Sequence, residues 1–341
     1  MPGFDSLIRI QKADSWGTAG TVTNRGMFLY ADSENLDYGA QATERDAKLI
    51  GQRESPVDTF SIDKYFPKGN IVIQPRVDDL LPLLMAHFQN VVVSGTGTYT
   101  FYPNPKPLKF TQGGSNIGTH PYTVNVDLYF GQSFATGTQS NGIRFMNGLV
   151  DKLTFDLRFG EDLKVTPEFK FLAGSYWVYP AGFAALSAYG SFSGFSRFVD
   201  YLGTVTVGSE DFDIDSWSGM FSNNSEDKSR LGKRGYNRFP LTGRYVAEGN
   251  FDMELNRDLN ILAEGVYTSI VIDMNGGVAN RVYISQPNIA NRPFDIPLNG
   301  GDQIVQLSKG YRAYPPSGTT GPSTQVIVYT GTTFGTNLFG F

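Results

Sequence analysis

Lys152-Leu153-Thr154-Phe155-Asp156-Leu157-Arg158-Phe159 alternates apolar and polar residues without a break. Neighbouring residues of an extended chain point to opposite faces. Leu153, Phe155, Leu157 and Phe159 therefore share one face, and Lys152, Thr154, Asp156 and Arg158 the other. This is the pattern of an antiparallel strand with one side on a core and one in water. Gly160-Glu161-Asp162 reads as a turn, and Leu163, Val165, Phe169 and Phe171 continue the alternation, with Pro167 marking a bulge or an edge. Tyr122, Val124, Val126, Leu128 and Phe130 make a similar strand. Further strands are expected at Ile270–Ile272, Val282–Ile284, Ile304–Leu307 and Val326–Tyr329. With 39 Gly, 26 Phe and 18 Tyr in 341 residues, strands and turns dominate, and the expected class is all-β.

Two short helices interrupt the strands. Asp78-Asp79-Leu80-Leu81-Pro82-Leu83-Leu84-Met85-Ala86-His87-Phe88 reads as one, with an Asp as cap and Pro82 in or near the first turn. Residues 258–265, Asp-Leu-Asn-Ile-Leu-Ala-Glu-Gly, read as the other.

Both helices close a longer repeat. The first copy runs Leu49-Ile50-Gly51-Gln52-Arg53, then Lys68-Gly69-Asn70-Ile71-Val72-Ile73, then the helix from Asp78. The second runs Arg230-Leu231-Gly232-Lys233-Arg234, then Glu248-Gly249-Asn250-Phe251-Asp252-Met253, then the helix from Asp258. Gly51 and Gly232 are 181 positions apart, and Gly69 and Gly249 are 180. A polar stretch opens each copy, Asp32–Leu36 and Ser222–Ser225. Duplication of one β unit is the simplest account. It divides the chain into a unit at 1–173, an aromatic and Gly-rich connection at 174–198, and a unit at 199–341. The connection is nearly free of charge, unlike a solvated linker. It reads either as an arm packed on another surface, such as a second subunit, or as a loop covering its own core.

Composition excludes several chemistries. There is no cysteine, and His87 and His120 are the two histidines, so thiol catalysis, disulfides, iron–sulfur clusters and Cys/His zinc sites are excluded. No partner stands at a motif spacing from either histidine. They read as a helix-surface and a loop residue. The net charge of −5 argues against a protein that grips duplex DNA. No secretory signal and no membrane-spanning run are expected. A C-terminal Phe341 resembles the end of outer-membrane barrels, but glycines 331, 335 and 340 break the strand that would precede it. Ser94-Gly95-Thr96-Gly97-Thr98 reads as a hairpin turn, not a phosphate loop.

Asp211, Asp213 and Asp215 fall on one face of a short strand, opposite Phe212 and Ile214. A solvated face, a cation site, an acid/base pair and an acidic wall that repels DNA all remain open. Two mixed-charge clusters stand in matching places: Glu44, Arg45, Asp46 and Lys48, and Glu226, Asp227, Lys228 and Arg230. They read as solvated loops or as polar contacts between subunits.

In its polar openings, its Leu-Ile-Gly-Gln-Arg and Leu-Gly-Lys-Arg motifs, its glycine-led strands and its helices, the sequence resembles the tail tube proteins of long-tailed bacteriophages. The second copy, from Val205-Thr206-Val207-Gly208 onward, is similar to the later segment of the two-unit members. The likeness spans roughly residues 20 to 330 and leaves out 174–198 and the Gly/Thr-rich end after 315. It implies two tandem β-sandwich or partial-barrel units, each with one short helix. It implies a virion protein, assembled in the host cytoplasm, with no enzymatic activity and no cofactor. Its subunits would form stacked rings around a channel through which DNA passes. Its partners would be itself and the tape-measure, tail terminator and baseplate proteins, with no membrane contact. The ring would hold three chains in pseudo-sixfold symmetry, or six chains with one unit outside. Residues 40–66 and 222–245 would be stacking loops, with Arg53 and Arg234 at equivalent places for pairing with carboxylates across rings. Other tail or baseplate components of the same fold, a β-sandwich lectin or adhesin, and a hydrolase built on the acidic strand are the competing readings.

Overall fold

A computed structural model describes residues 6–13, 27–29, 31–37, 39–44, 60–95, 97–103, 122–130, 141–177, 203–208, 210–225, 243–254, 267–275, 280–292, 306–316 and 321–330. The protein is all-β with one helix among these residues. The first half contributes β1 (Ser6–Lys12), β2 (Met27–Leu29), β3 (Ala31–Asp37), β4 (Ala40–Glu44), β5 (Phe60–Tyr65) and β6 (Lys68–Ile73). After α1 (Val77–Phe88) come β7 (Val91–Ser94), β8 (Thr98–Phe101), β9 (Val124–Phe130), β10 (Asn141–Arg158) and β11 (Lys164–Trp177). The second half contributes β12 (Gly203–Val207), β13 (Glu210–Phe212), β14 (Ser216–Ser222), β15 (Val246–Glu254) and β16 (Tyr267–Asn275). It ends with β17 (Arg281–Asn291), β18 (Gln306–Ala313) and β19 (Gln325–Tyr329).

Every strand pairing is antiparallel, and the two halves pair in the same order. The first runs β2-β1-β9-β10-β11-β6-β3. The second runs β13-β12-β16-β17-β18-β15-β14. The repeated glycines take corresponding places. Gly69 pairs with Phe169 and Leu36, and Gly249 with Tyr311 and Gly219. β11 is continuous, while its counterpart is shared between β18 and β19, which lie along different parts of β17.

The halves also pair with each other. The later part of β10, Lys152–Arg158, lies along β14, and β8 of the β7–β8 hairpin lies along β19. All strands except β4 and β5 thus form one sheet, which curls round α1 in the manner of a barrel. Followed pair by pair among the described residues, it ends at β2, β3, β7 and β13. One apolar cluster runs from Ile8 to Val328, so residues of both halves share a core. Leu153, Phe155, Leu157, Leu163, Val165, Phe169 and Phe171 are buried in it, as their alternation requires. Full burial of such side chains contributes about 1.5–3 kcal/mol each.

Several expectations are corrected. Phe159 lies past the end of β10 and is 80% exposed, so the inward face stops at Leu157. Pro167 sits inside β11 and interrupts the ladder to β6, which skips Thr166 and Pro167, but the register shift lies in β10 between Val150 and Lys152, opposite Phe169 and Glu168. Gly174–Trp177 belong to β11, not to a connecting arm. Residues 178–198, His120 and the helix expected at 258–265 lie outside the described residues. The N-cap of α1 is Arg76, whose N–H donates to Asp79 Oδ2 at 2.9 Å, so the Asp acts from the third helical position. Pro82 falls beyond the first turn. α1 is enclosed: Leu80, Leu81, Leu83 and Leu84 are all buried. Its C-cap, Gln89, is left-handed (φ 58°) and donates its N–H to Met85 O. The Gln89 side chain holds the Tyr122 backbone through two hydrogen bonds of 2.8 Å, which offset the cost of that conformation.

Candidate assembly surfaces

The two halves meet at a polar seam built on His87. This residue closes α1 and is 1% exposed, not on the helix surface as expected. Its Nδ1 lies 3.0 Å from Val150 O in β10 and 3.3 Å from Asn223 Nδ2; the tautomer with its proton on Nδ1 donates to the carbonyl, which can only accept. Asn223, at the end of β14, donates its Nδ2 to His87 O at 3.0 Å and to Val150 O at 3.2 Å. Burial pushes His87 down to about 4, outweighing the Val150 carbonyl and Asp151, which act in the opposite direction. Beside it, the Asn223 N–H donates to Asp151 O, the Ser225 N–H to Asp151 Oδ1, and Lys170 bridges Asp151 Oδ2 and Ser225 O.

This seam is the root of the expected stacking loop at 222–245. Its outgoing limb, Ser222–Ser225, is pinned on β10. Its returning limb is tied to the first by Asn224 Nδ2, which donates to Arg244 O at 2.8 Å. Gly243 passes so close that a β-carbon would lie 2.3 Å from Asn224 O. Glu226, Asp227, Lys228, Arg230 and Arg234 lie outside the described residues. The other expected loop, 40–66, begins and ends as a separate two-stranded ribbon, β4 with β5, in which Glu44 pairs with Phe60. Gly39 (φ 57°) and Phe66 close its base through Phe66 N–H to Gly39 O. Arg45, Asp46, Lys48 and Arg53 lie outside the described residues. Each nominated loop therefore springs from a backbone fixed on both limbs.

Asp211, Asp213 and Asp215 are all exposed, with Phe212 buried and Ile214 half-buried between them. The alternation holds but the strand is shorter than expected. Only Glu210–Phe212 is extended, and the chain bends at Asp215 before β14. Asp211 accepts from Thr206 Oγ1 at 2.7 Å. The three carboxylates line a cleft of about 640 Å³ with Leu157, Phe159 and Trp217. Among the described residues, no three acidic or histidine side chains converge as metal ligands would.

Sequence reasoning missed a second buried layer. Arg9, Asp127 and Arg144 are adjacent across β1, β9 and β10, on the side opposite Ile8, Val126 and Phe145. Arg144 binds Asp127 through two hydrogen bonds, of 2.7 and 2.8 Å, and Arg9 donates to Gln11. The signal was present in the alternation Ile8-Arg9-Ile10-Gln11, but that pattern equally describes a solvated face. Among the described residues, no helix is long and apolar enough to cross a membrane. No protein-family model matches the chain, and no curated protein is similar to it.

Proposed function

We propose that this chain is a structural virion protein: a bacteriophage tail tube subunit that assembles into stacked rings and forms the conduit for DNA ejection. One observation carries the reading. Two strand sets of the same pairing order are joined edge to edge through β10 and β14 within one chain. A unit that adds to its own duplicate has the means to continue, because head-to-tail contacts close into a ring when their rotation divides a full turn. Three chains then give six units in pseudo-sixfold arrangement, and ring closure satisfies edges that a lone sheet leaves bare. The pinned roots of 40–66 and 222–245 suit loops that reach a neighbouring ring. The exposed carboxylates at 211, 213 and 215 suit a surface that DNA passes without sticking. Catalysis plays no part in this role, and the tape-measure, terminator and baseplate proteins are the partners it requires. Sedimentation of the purified chain tests it. Long polymers that pellet are expected, whereas a persistent 37.5 kDa species at all concentrations contradicts the reading.

A further inference from the structure

We propose that His87 is an acid-sensitive latch on the root of the 222–245 segment: when its imidazole takes up a proton from solvent, Ser222–Ser225 and the returning limb at Tyr245 come away from β10, and the ring reaches water. The inference concerns a single chain and goes beyond the assembly proposed above.

The ring is packed among four residues. Phe88 of α1 meets it edge-on, with centroids 4.8 Å apart, and Val150 O of β10 stands 3.0 Å from Nδ1. The other two lie on the limbs of the segment. Asn223, on the outgoing limb, places Nδ2 3.3 Å from Nδ1 and donates to the carbonyls of His87 and Val150. Tyr245, on the returning limb, has its ring centroid 6.1 Å away. Nε2, which receives the proton, is buried and has no hydrogen-bond partner among the described residues. A cation formed there has an unpaired N–H and a charge out of water, the costly state for a buried group.

The surrounding charges do not remove that cost. Asp151 of β10 favours the cation, but its carboxylate is shared with Lys170 of β11 at 3.1 Å and with the Ser225 N–H. β1 brings a like charge, Lys12, over the ring of Tyr122, the residue whose backbone Gln89 holds at the end of α1. Arg244, beside Tyr245, is a second like charge and is exposed. Asp78 and Asp79 stand in the first turn of α1, at its opposite end, and β8, β14 and β19 carry no charged residue. Burial pushes the Tyr245 phenol further above its ordinary range, so it stays neutral.

The limb is the part that yields. α1 is enclosed, and Val150 is laddered to β11 through Phe169. The β10–β14 ladder ends at Ser222. Beyond it the chain is held by the Asn223 and Ser225 N–H groups on Asp151, by Lys170 on Ser225 O and by the Asn223 side chain.

Amide hydrogen exchange on the full chain at pH 7 and pH 5, corrected for the intrinsic pH dependence of exchange, tests the inference. A group that titrates at about 4 when closed and near 6.5 when open favours opening roughly twentyfold more at pH 5 than at pH 7. Peptides covering 222–225 and 243–246 are expected to speed up by that factor. At pH 5 they are expected to exchange well ahead of 164–173 in β11 and 281–291 in β17. His87→Gln, whose amide can still donate to Val150 O, is expected to remove the difference between the two pH values. Asn223→Ala, which removes the side-chain clasp, is expected to speed the same peptides at both pH values and to keep the twentyfold response. Exchange at 222–225 and 243–246 no faster than in β11 and β17 at pH 5 would mean that the proton opens the whole fold and not this root, and overturns the inference. An unchanged rate at pH 5, or an undiminished response in His87→Gln, overturns it equally.

Discussion

Gly249 in β15 lies against the ring of Tyr311 in β18, so closely that a β-carbon would stand 2.3 Å from Cζ. The Tyr311 hydroxyl in turn accepts from Trp217 Nε1 in β14 at 2.9 Å, and both aromatic residues are buried. Three adjacent strands of the second half are locked at this point. In the first half, Gly69 (φ 152°) has Phe169 across the ladder, and a β-carbon there would lie 2.0 Å from Asn35 O. The glycine-led strands found by repeat spacing are thus places where each half permits close approach.

Gly249→Ala is expected to destabilise the fold by about 1–3 kcal/mol, the usual cost of forcing a methyl group into a packed core. Urea unfolding followed by circular dichroism measures it. An unchanged midpoint would show that Tyr311 moves aside freely.

His87 gives stability a pH dependence of defined sign. Its pKa is about 4 in the fold and near 6.5 when free, so on acidification the unfolded chain binds the proton first. Its contribution is complete above the free value and is lost as pH falls from about 6.5 to about 4. The full difference is about 3 kcal/mol. His87→Gln is expected to remove this slope: between pH 7 and pH 4 its urea midpoint falls less than that of the wild type. Parallel curves would contradict the buried neutral state.

Asp127→Ala leaves Arg144 buried without its carboxylate, and removing one partner of such a pair costs about 3–5 kcal/mol. Thermal unfolding of the variant reads this out. A loss no greater than that of an exposed pair such as Lys164–Glu161 would show that water reaches the layer.

Arg53→Glu together with Arg234→Glu is expected to leave a folded chain that forms no stacks, because the two arginines occupy equivalent places in the expected stacking loops. Normal polymers from the double variant would remove these residues from the contact.

The strands were legible because alternation is local: Leu153, Phe155 and Leu157 announce an inward face whatever they pack on. Which strands pair is not local. Nothing in Val326–Tyr329 says that β8, more than 220 residues earlier, lies beside it. Phe159 was misread because alternation alone does not mark where a strand ends. His87 was misread because a helix at a barrel centre has no wet side, and its leucine-rich sequence also fits a helix with one. Arg9 and Asp127 look like a solvated face, since pairing between charges on different strands leaves no trace in either strand. Asp211, Asp213 and Asp215 are exposed, but the bend at Asp215 was not legible, because an Asp suits both a turn and the wet face of a strand.

Electron microscopy of the purified, assembled chain tests the central claim most directly. Top views are expected to show rings with an open centre and six similar lobes contributed by three chains, stacked into tubes in side view. Discrete particles of one chain each, with no lumen and no stacking under any condition, would contradict the account.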